Sequence, residues 1–85
     1  MKVSHYSIKV AAFSVEKFAN SQYESLKRKG YDAYIEKEGG FVKMKTYTVM
    51  VGKFKTQKEA EKVAEVIREK ERLRVEVVLF FAKSY

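Results

Sequence analysis

The chain has 85 residues, 46% of them hydrophobic and 34% charged, which gives room and composition for one folded domain with one small core. With no cysteine, disulfide staples and thiolate metal sites are excluded. The longest apolar run is the six residues Val77 to Ala82, far short of the roughly 20 that a membrane-spanning helix needs. Lys and Arg number 18 against 11 Asp and Glu, and the net charge of +7 favours anionic partners such as nucleic acid, lipid headgroups or acidic glycans.

Residues 5–12 alternate with period two, placing Tyr6, Ile8 and Val10 on one face and Ser7 and Lys9 on the other, the pattern of a strand. Ser14 is a good N-cap for a helix running to about Lys29. Val15, Phe18, Ala19, Gln22, Tyr23 and Leu26 form its expected inward stripe, and Gly30 is placed to stop it. Tyr31 to Lys37 alternates again, with Tyr31, Ala33 and Ile35 against Asp32, Tyr34 and Glu36. Glu38-Gly39-Gly40 then predicts a tight turn.

Residues 46–52 set Tyr47, Val49 and Val51 against Thr48 and Met50. Thr56-Gln-Lys-Glu59 is a capping box, and Ala60, Val63, Ala64 and Ile67 recur at three and four behind it. The last strand, about Leu73 to Phe81, opens with Leu73, Val75 and Val77 opposite Arg74, Glu76 and Val78. It then dissolves into the apolar run.

An internal repeat organises these elements. At an offset of 41, Tyr6-Ser-Ile-Lys-Val-Ala-Ala-Phe13 lies over Tyr47-Thr-Val-Met-Val-Gly-Lys-Phe54, and Ala19 meets Ala60, Leu26 meets Ile67 and Lys29 meets Lys70. The order βαββαβ, with right-handed crossovers, predicts an α+β ferredoxin-like fold, a four-stranded antiparallel sheet with both helices on one face. The chain is expected to be a single domain over 1–85, built of half repeats at about 5–37 and 46–78.

With the helices on one side, the other face of the sheet is open. It is expected to present Ser7, Lys9, Thr48, Met50, Tyr34, Glu36, Arg74, Glu76 and Val78. Rings and methyl groups can cover the apolar faces of a flexible polymer there while polar groups fix its register.

Catalysis has little support. His5 and Asp32 are the lone histidine and lone aspartate and lie on different strands, and nothing supplies a positioned base or an oxyanion hole for a serine nucleophile. The loop Ala11-Ala12-Phe13 holds no arginine for acyl-phosphate chemistry. Chelating spacings are missing too, so neither a metal nor a cofactor is expected.

The two repeated segments, with Ala19, Leu26, Gly30 and Ala60, resemble the SPOR domain (sporulation-related repeat). That family's pattern is a strand ending in Gly-small-Phe, a helix with a fixed Ala and Leu, a Gly before strand two, and a second strand ending Val-Gly-Pro-Phe. The likeness covers roughly residues 5–78.

The resemblance implies a bacterial envelope module that binds peptidoglycan glycan strands stripped of their stem peptides. It implies a glycan site on the open sheet face and a role in bringing a parent protein to the division septum, with any export signal or anchor outside this chain. Ser7, Lys9, Ala12, Thr48 and Met50 match the motif's open-face positions, and alternation adds Tyr34, Glu76 and Val78. On the same resemblance Lys9, Lys43, Lys45 and Lys53 are expected to pair with the lactyl carboxylates that stripping exposes. The family often has Gln where Lys9 stands and Arg near Thr48, and it usually has Gly at the Ala11 position and Pro where Lys53 stands.

Two rivals remain at this level. The RNA-recognition motif shares the topology, but it stacks bases on aromatics of strands one and three, where this chain has Ser7, Lys9, Thr48 and Met50. Nucleic acid is therefore not the expected partner. The other rival is assembly through the uncharged edge Val77 to Ala82, which offers a homodimer unless Phe80 and Phe81 fold over the end of the core.

Overall fold

The computed structural model describes residues 3–39 and 45–82, with the side chains of Val3 and of residues 80–82 left out of the description. The elements are β1 (Val3–Phe13), α1 (Glu16–Arg28), β2 (Ala33–Glu38), β3 (Thr46–Phe54), α2 (Gln57–Glu71) and β4 (Glu76–Ala82). All pairs are antiparallel, in the spatial order β2-β3-β1-β4, and this is the α+β βαββαβ arrangement that the period-two and period-3.6 segments predict.

One core lies between helices and sheet. Ile8, Val10, Ala33, Val49, Val51 and Val75 from the sheet side meet Ala19 and Leu26 of α1 and Ala64 and Ile67 of α2. Alternation correctly separates these from the open-face set. The core is small, and alanines at the helix contacts let both helices lie close to the strands.

Each central strand carries one bulge, at neighbouring places in the repeat. Between the pairs Lys9↔Met50 and Ala11↔Val49, Val10 is the extra residue of β1. Between Tyr6↔Phe54 and Ile8↔Val51, Ser7 faces both Gly52 and Lys53 of β3. The bulge at Val10 reverses the parity that follows it. Val10 and Ala11 both serve the core side, and Ala12, paired with Thr48, falls on the open face. The outermost pairs, Tyr6↔Phe54 and Phe13↔Tyr47, exchange under the 41-residue offset, so β1 and β3 meet about a local pseudo-twofold axis.

The start of α1 differs from expectation. Val15, not Ser14, occupies the N-cap, with no side-chain hydrogen bond, and its carbonyl accepts from Phe18 and Ala19. Val15 stands at the repeat position of Thr56, whose hydroxyl accepts the Glu59 N–H at 3.2 Å and caps α2. The stripe also narrows. Val15 is 45% and Phe18 58% exposed, because α1 contacts the sheet along Ala19, Tyr23 and Leu26 and both side chains fall beside that line. Val15→Thr would restore the missing cap. A gain of about 1 kcal/mol is expected, read as a rise of roughly 4–8 °C in the thermal midpoint.

Gly30 ends α1 as expected, at φ +96°, while α2 ends on Arg72 at φ +57°. Beside these ends Glu71 binds the Lys29 ammonium and accepts the Tyr31 hydroxyl at 3.2 Å, joining the last turns of the two helices. Glu38, read as the start of a tight turn, is the last residue of β2; residues 40–44, Gly40 and Lys43 among them, lie outside the described residues, and β3 opens at Thr46. β4 begins at Glu76, so Leu73 to Val75 approach the sheet before the strand starts. It forms an edge, as the assembly reading requires. Packing of Phe80 and Phe81 over the core lies outside the described side chains.

Candidate functional site

The rows of the ladder fix what the helix-free face presents. Tyr34, Met50, Lys9 and Glu76 are partners in succession across all four strands. The next row is Glu36, Thr48 and Ala12, followed by Glu38 with Thr46; on the other side of Lys9, Ser7 pairs with Val78. Of the residues proposed from sequence, the structure therefore brings Ser7, Lys9, Ala12, Tyr34, Thr48, Met50, Glu76 and Val78 onto one surface. Lys53 joins them through the β3 bulge.

This face is not a flat solvated sheet. Ser7 is 0% and Met50 1% exposed although no helix covers them, and Thr48 is buried too. Met50, Thr48 and Ala12 floor a groove of about 260 Å³. Glu36, Glu38 and Thr46 stand along its β2 side, Val78 and Leu79 along its β4 side, and Lys9 lies between. Sheet twist and the Val10 bulge give a concave surface where alternation alone predicts a plane. Sequence reasoning missed Glu38, Thr46 and Leu79. The signal for Glu38 was the period of Tyr34 and Glu36 continued into what reads as turn, and for Thr46 its shared parity with Thr48 and Met50 at the start of the predicted strand; Leu79 lies in an apolar run with no period to read.

Beside the groove is a second constellation. The Ser7 Oγ lies 2.8 Å from the Gly52 carbonyl oxygen and 2.7 Å from the Tyr34 Oη. The serine hydroxyl has one proton and gives it to the carbonyl, so the tyrosine hydroxyl donates to Oγ. Burial pushes the Tyr34 hydroxyl up from its ordinary value, and the charges of Glu36 and Asp32 add to the shift. Tyr34 is thus a neutral donor at physiological pH. The Lys53 ammonium lies 5.5 Å from the centre of its ring, a cation–π contact. Tyr34 is consequently a pinned wall, half-buried and held at its tip, rather than a free stacking plate.

The groove's own charge does not follow the chain's. Its lining carries one cation, Lys9, against Glu36 and Glu38, with Glu76 next to Lys9 in the row. Lys45 precedes β3 and is exposed outside the lining, while Lys43 lies outside the described residues. Among the described residues no three His, Asp or Glu side chains form a metal-binding group, and no helix is long and apolar enough to cross a membrane.

The helices cover one side of the sheet and buried side chains floor a groove on the other, which defines an α+β domain with one open, concave sheet face. The chain belongs to the SPOR domain family, whose model matches residues 2–78. Among solved structures its fold is similar to the solution structure of the peptidoglycan binding domain of the B. subtilis cell wall lytic enzyme CwlC. The TM-score is 0.72 and the identity 23%, over 92% of this chain and 91% of that one. No curated protein matches the chain.

Proposed function

We propose that this chain is a non-catalytic peptidoglycan-binding module that lays a glycan strand along the helix-free groove. It prefers strands stripped of their stem peptides, and so directs a parent protein to the division septum within the bacterial envelope. The observation that carries the reading is the groove itself, on the open face of a SPOR-family sheet.

Ala12, Val78 and Leu79 offer apolar surface to sugar rings over a floor closed by the buried Met50, and the other wall offers carboxylates and hydroxyls to sugar hydroxyls. Ser7, Lys9, Ala12, Tyr34, Thr48, Met50, Lys53, Glu76 and Val78 are the residues assigned to glycan contact or to holding it. The net charge of +7 draws an anionic strand to the domain as a whole, and Lys9 is the cation that the groove lining offers to a carboxylate exposed by stripping.

The test is co-sedimentation with purified sacculi, with and without amidase treatment, beside a titration of fluorescent single-stranded RNA. Binding that rises with amidase treatment is the expected result. No binding to sacculi, together with RNA affinity that falls steeply with salt, would replace this reading with the nucleic-acid one.

A further inference from the structure

The β1–β4 ladder stops at Lys9↔Glu76, and the two strands part beyond that pair. On the β4 side the chain continues back through Val75 and Arg74, outside the strand. On the β1 side the next residue is Val10, the bulge that turns the strand away. A cavity of about 220 Å³ fills the fork, lined by Lys9, Val10, Arg74, Val75 and Glu76. It is separate from the groove, yet Lys9 lines both.

The fork is rich in donors. Lys9 and Arg74 line it, and among the described residues neither is in an ion pair. The Val75 carbonyl is already taken by the Arg68 Nη2 at 2.9 Å, which removes an acceptor that would otherwise repel an anion. Glu76, the ladder partner of Lys9, is the acidic residue of the lining, and among the described residues no ion pair joins it to either cation. Arginine's planar fork of N–H groups matches a carboxylate with two parallel hydrogen bonds, whereas the lysine ammonium supplies a point charge.

The geometry points to this fork as a carboxylate subsite that extends the glycan groove. Arg74 grips an acidic substituent of the strand, and Lys9 bridges groove and fork. The inference rests on the peptidoglycan reading and goes beyond it, because it makes a residue outside the groove responsible for telling a strand with free carboxylates from one without.

The test uses the whole 85-residue protein and soluble glycan strands in two forms, with free lactyl carboxylates and with the same groups capped as methylamides. Wild type is expected to bind the free form about tenfold more tightly, the size of one charge-assisted contact. Arg74→Gln should lose about tenfold on the free form and nothing on the capped form. Lys62→Gln, the same charge change on the exposed side of α2, should alter neither. An Arg74→Gln protein that binds the free form as wild type does, or that loses equally on both, overturns the subsite. Wild type binding both forms equally also overturns it while leaving the groove reading standing. Wild type binding neither form ends both.

Discussion

Gly52→Ala is expected to remove about 3 kcal/mol of stability, a fall of roughly 15 °C in the thermal midpoint. Gly52 sits at φ +76°, where a side chain costs about 1 kcal/mol, and an added Cβ would stand 2.5 Å from Phe54 Cζ. The ring cannot simply swing aside, because Phe54 packs against the core. Nor can the backbone relax cheaply, since the Gly52 N–H donates to the Asp32 carbonyl at 2.8 Å and its own carbonyl accepts the Ser7 hydroxyl. Overpacking of this kind costs about 1–3 kcal/mol on its own. Equilibrium denaturation checks the size. A loss under about 1 kcal/mol would mean that the Phe54 ring yields and that the bulge is softer than its contacts imply.

The largest effect on binding is expected from Lys9→Glu, about a hundredfold loss of affinity for stripped glycan, equal to about 2.7 kcal/mol. Lys9 is the only cation among the described residues lining the groove; it stands in one row with Glu76 and shares the lining with Glu36 and Glu38. Reversal therefore leaves the lining wholly acidic. Lys9→Gln, which removes the charge without reversing it, should cost about tenfold. The fold should tolerate both, since like charges placed opposite across a ladder cost at most about 1 kcal/mol. Titration at matched salt, with a melting curve for each variant, separates affinity from folding. Affinity within threefold of wild type for Lys9→Glu would move the glycan contact off this face.

The element order and the two faces of the sheet follow from period alone, because hydrophobic alternation is a direct record of which side of a strand meets the core. Where alternation breaks, so does the reading. Counting by twos from Lys9 puts Ala12 among the core residues; only the Val10 bulge turns it outward, and the family motif, not the period, marked it as a site position.

At α1 a helical stripe six residues wide was too generous. The line of contact is set by how near Ala19 lets the helix approach, which no single-sequence pattern measures. The contact of Lys53 with Tyr34 joins strands through a bulge and a serine hydroxyl, and neither partner's neighbours in sequence announce it. The excess of basic residues likewise describes the whole chain and not the groove, whose lining is more acidic than basic.

The pair Lys9↔Met50 has a property beyond its place in the row. The two residues are related to each other by the 41-residue offset and are also ladder partners, so the local twofold axis passes through this pair. Everywhere else a position and its copy lie at separate places; here the copies touch, and one is an ammonium while the other is a thioether. A face symmetric about that axis would receive a polymer equally well in either direction. Glycan strands have unlike ends, and a groove whose pivot is charged on one side and apolar on the other cannot be superposed on itself by reversal. The unlike pair at the pivot, together with the acidic β2 wall and the apolar β4 wall, leaves the duplicated surface without twofold symmetry.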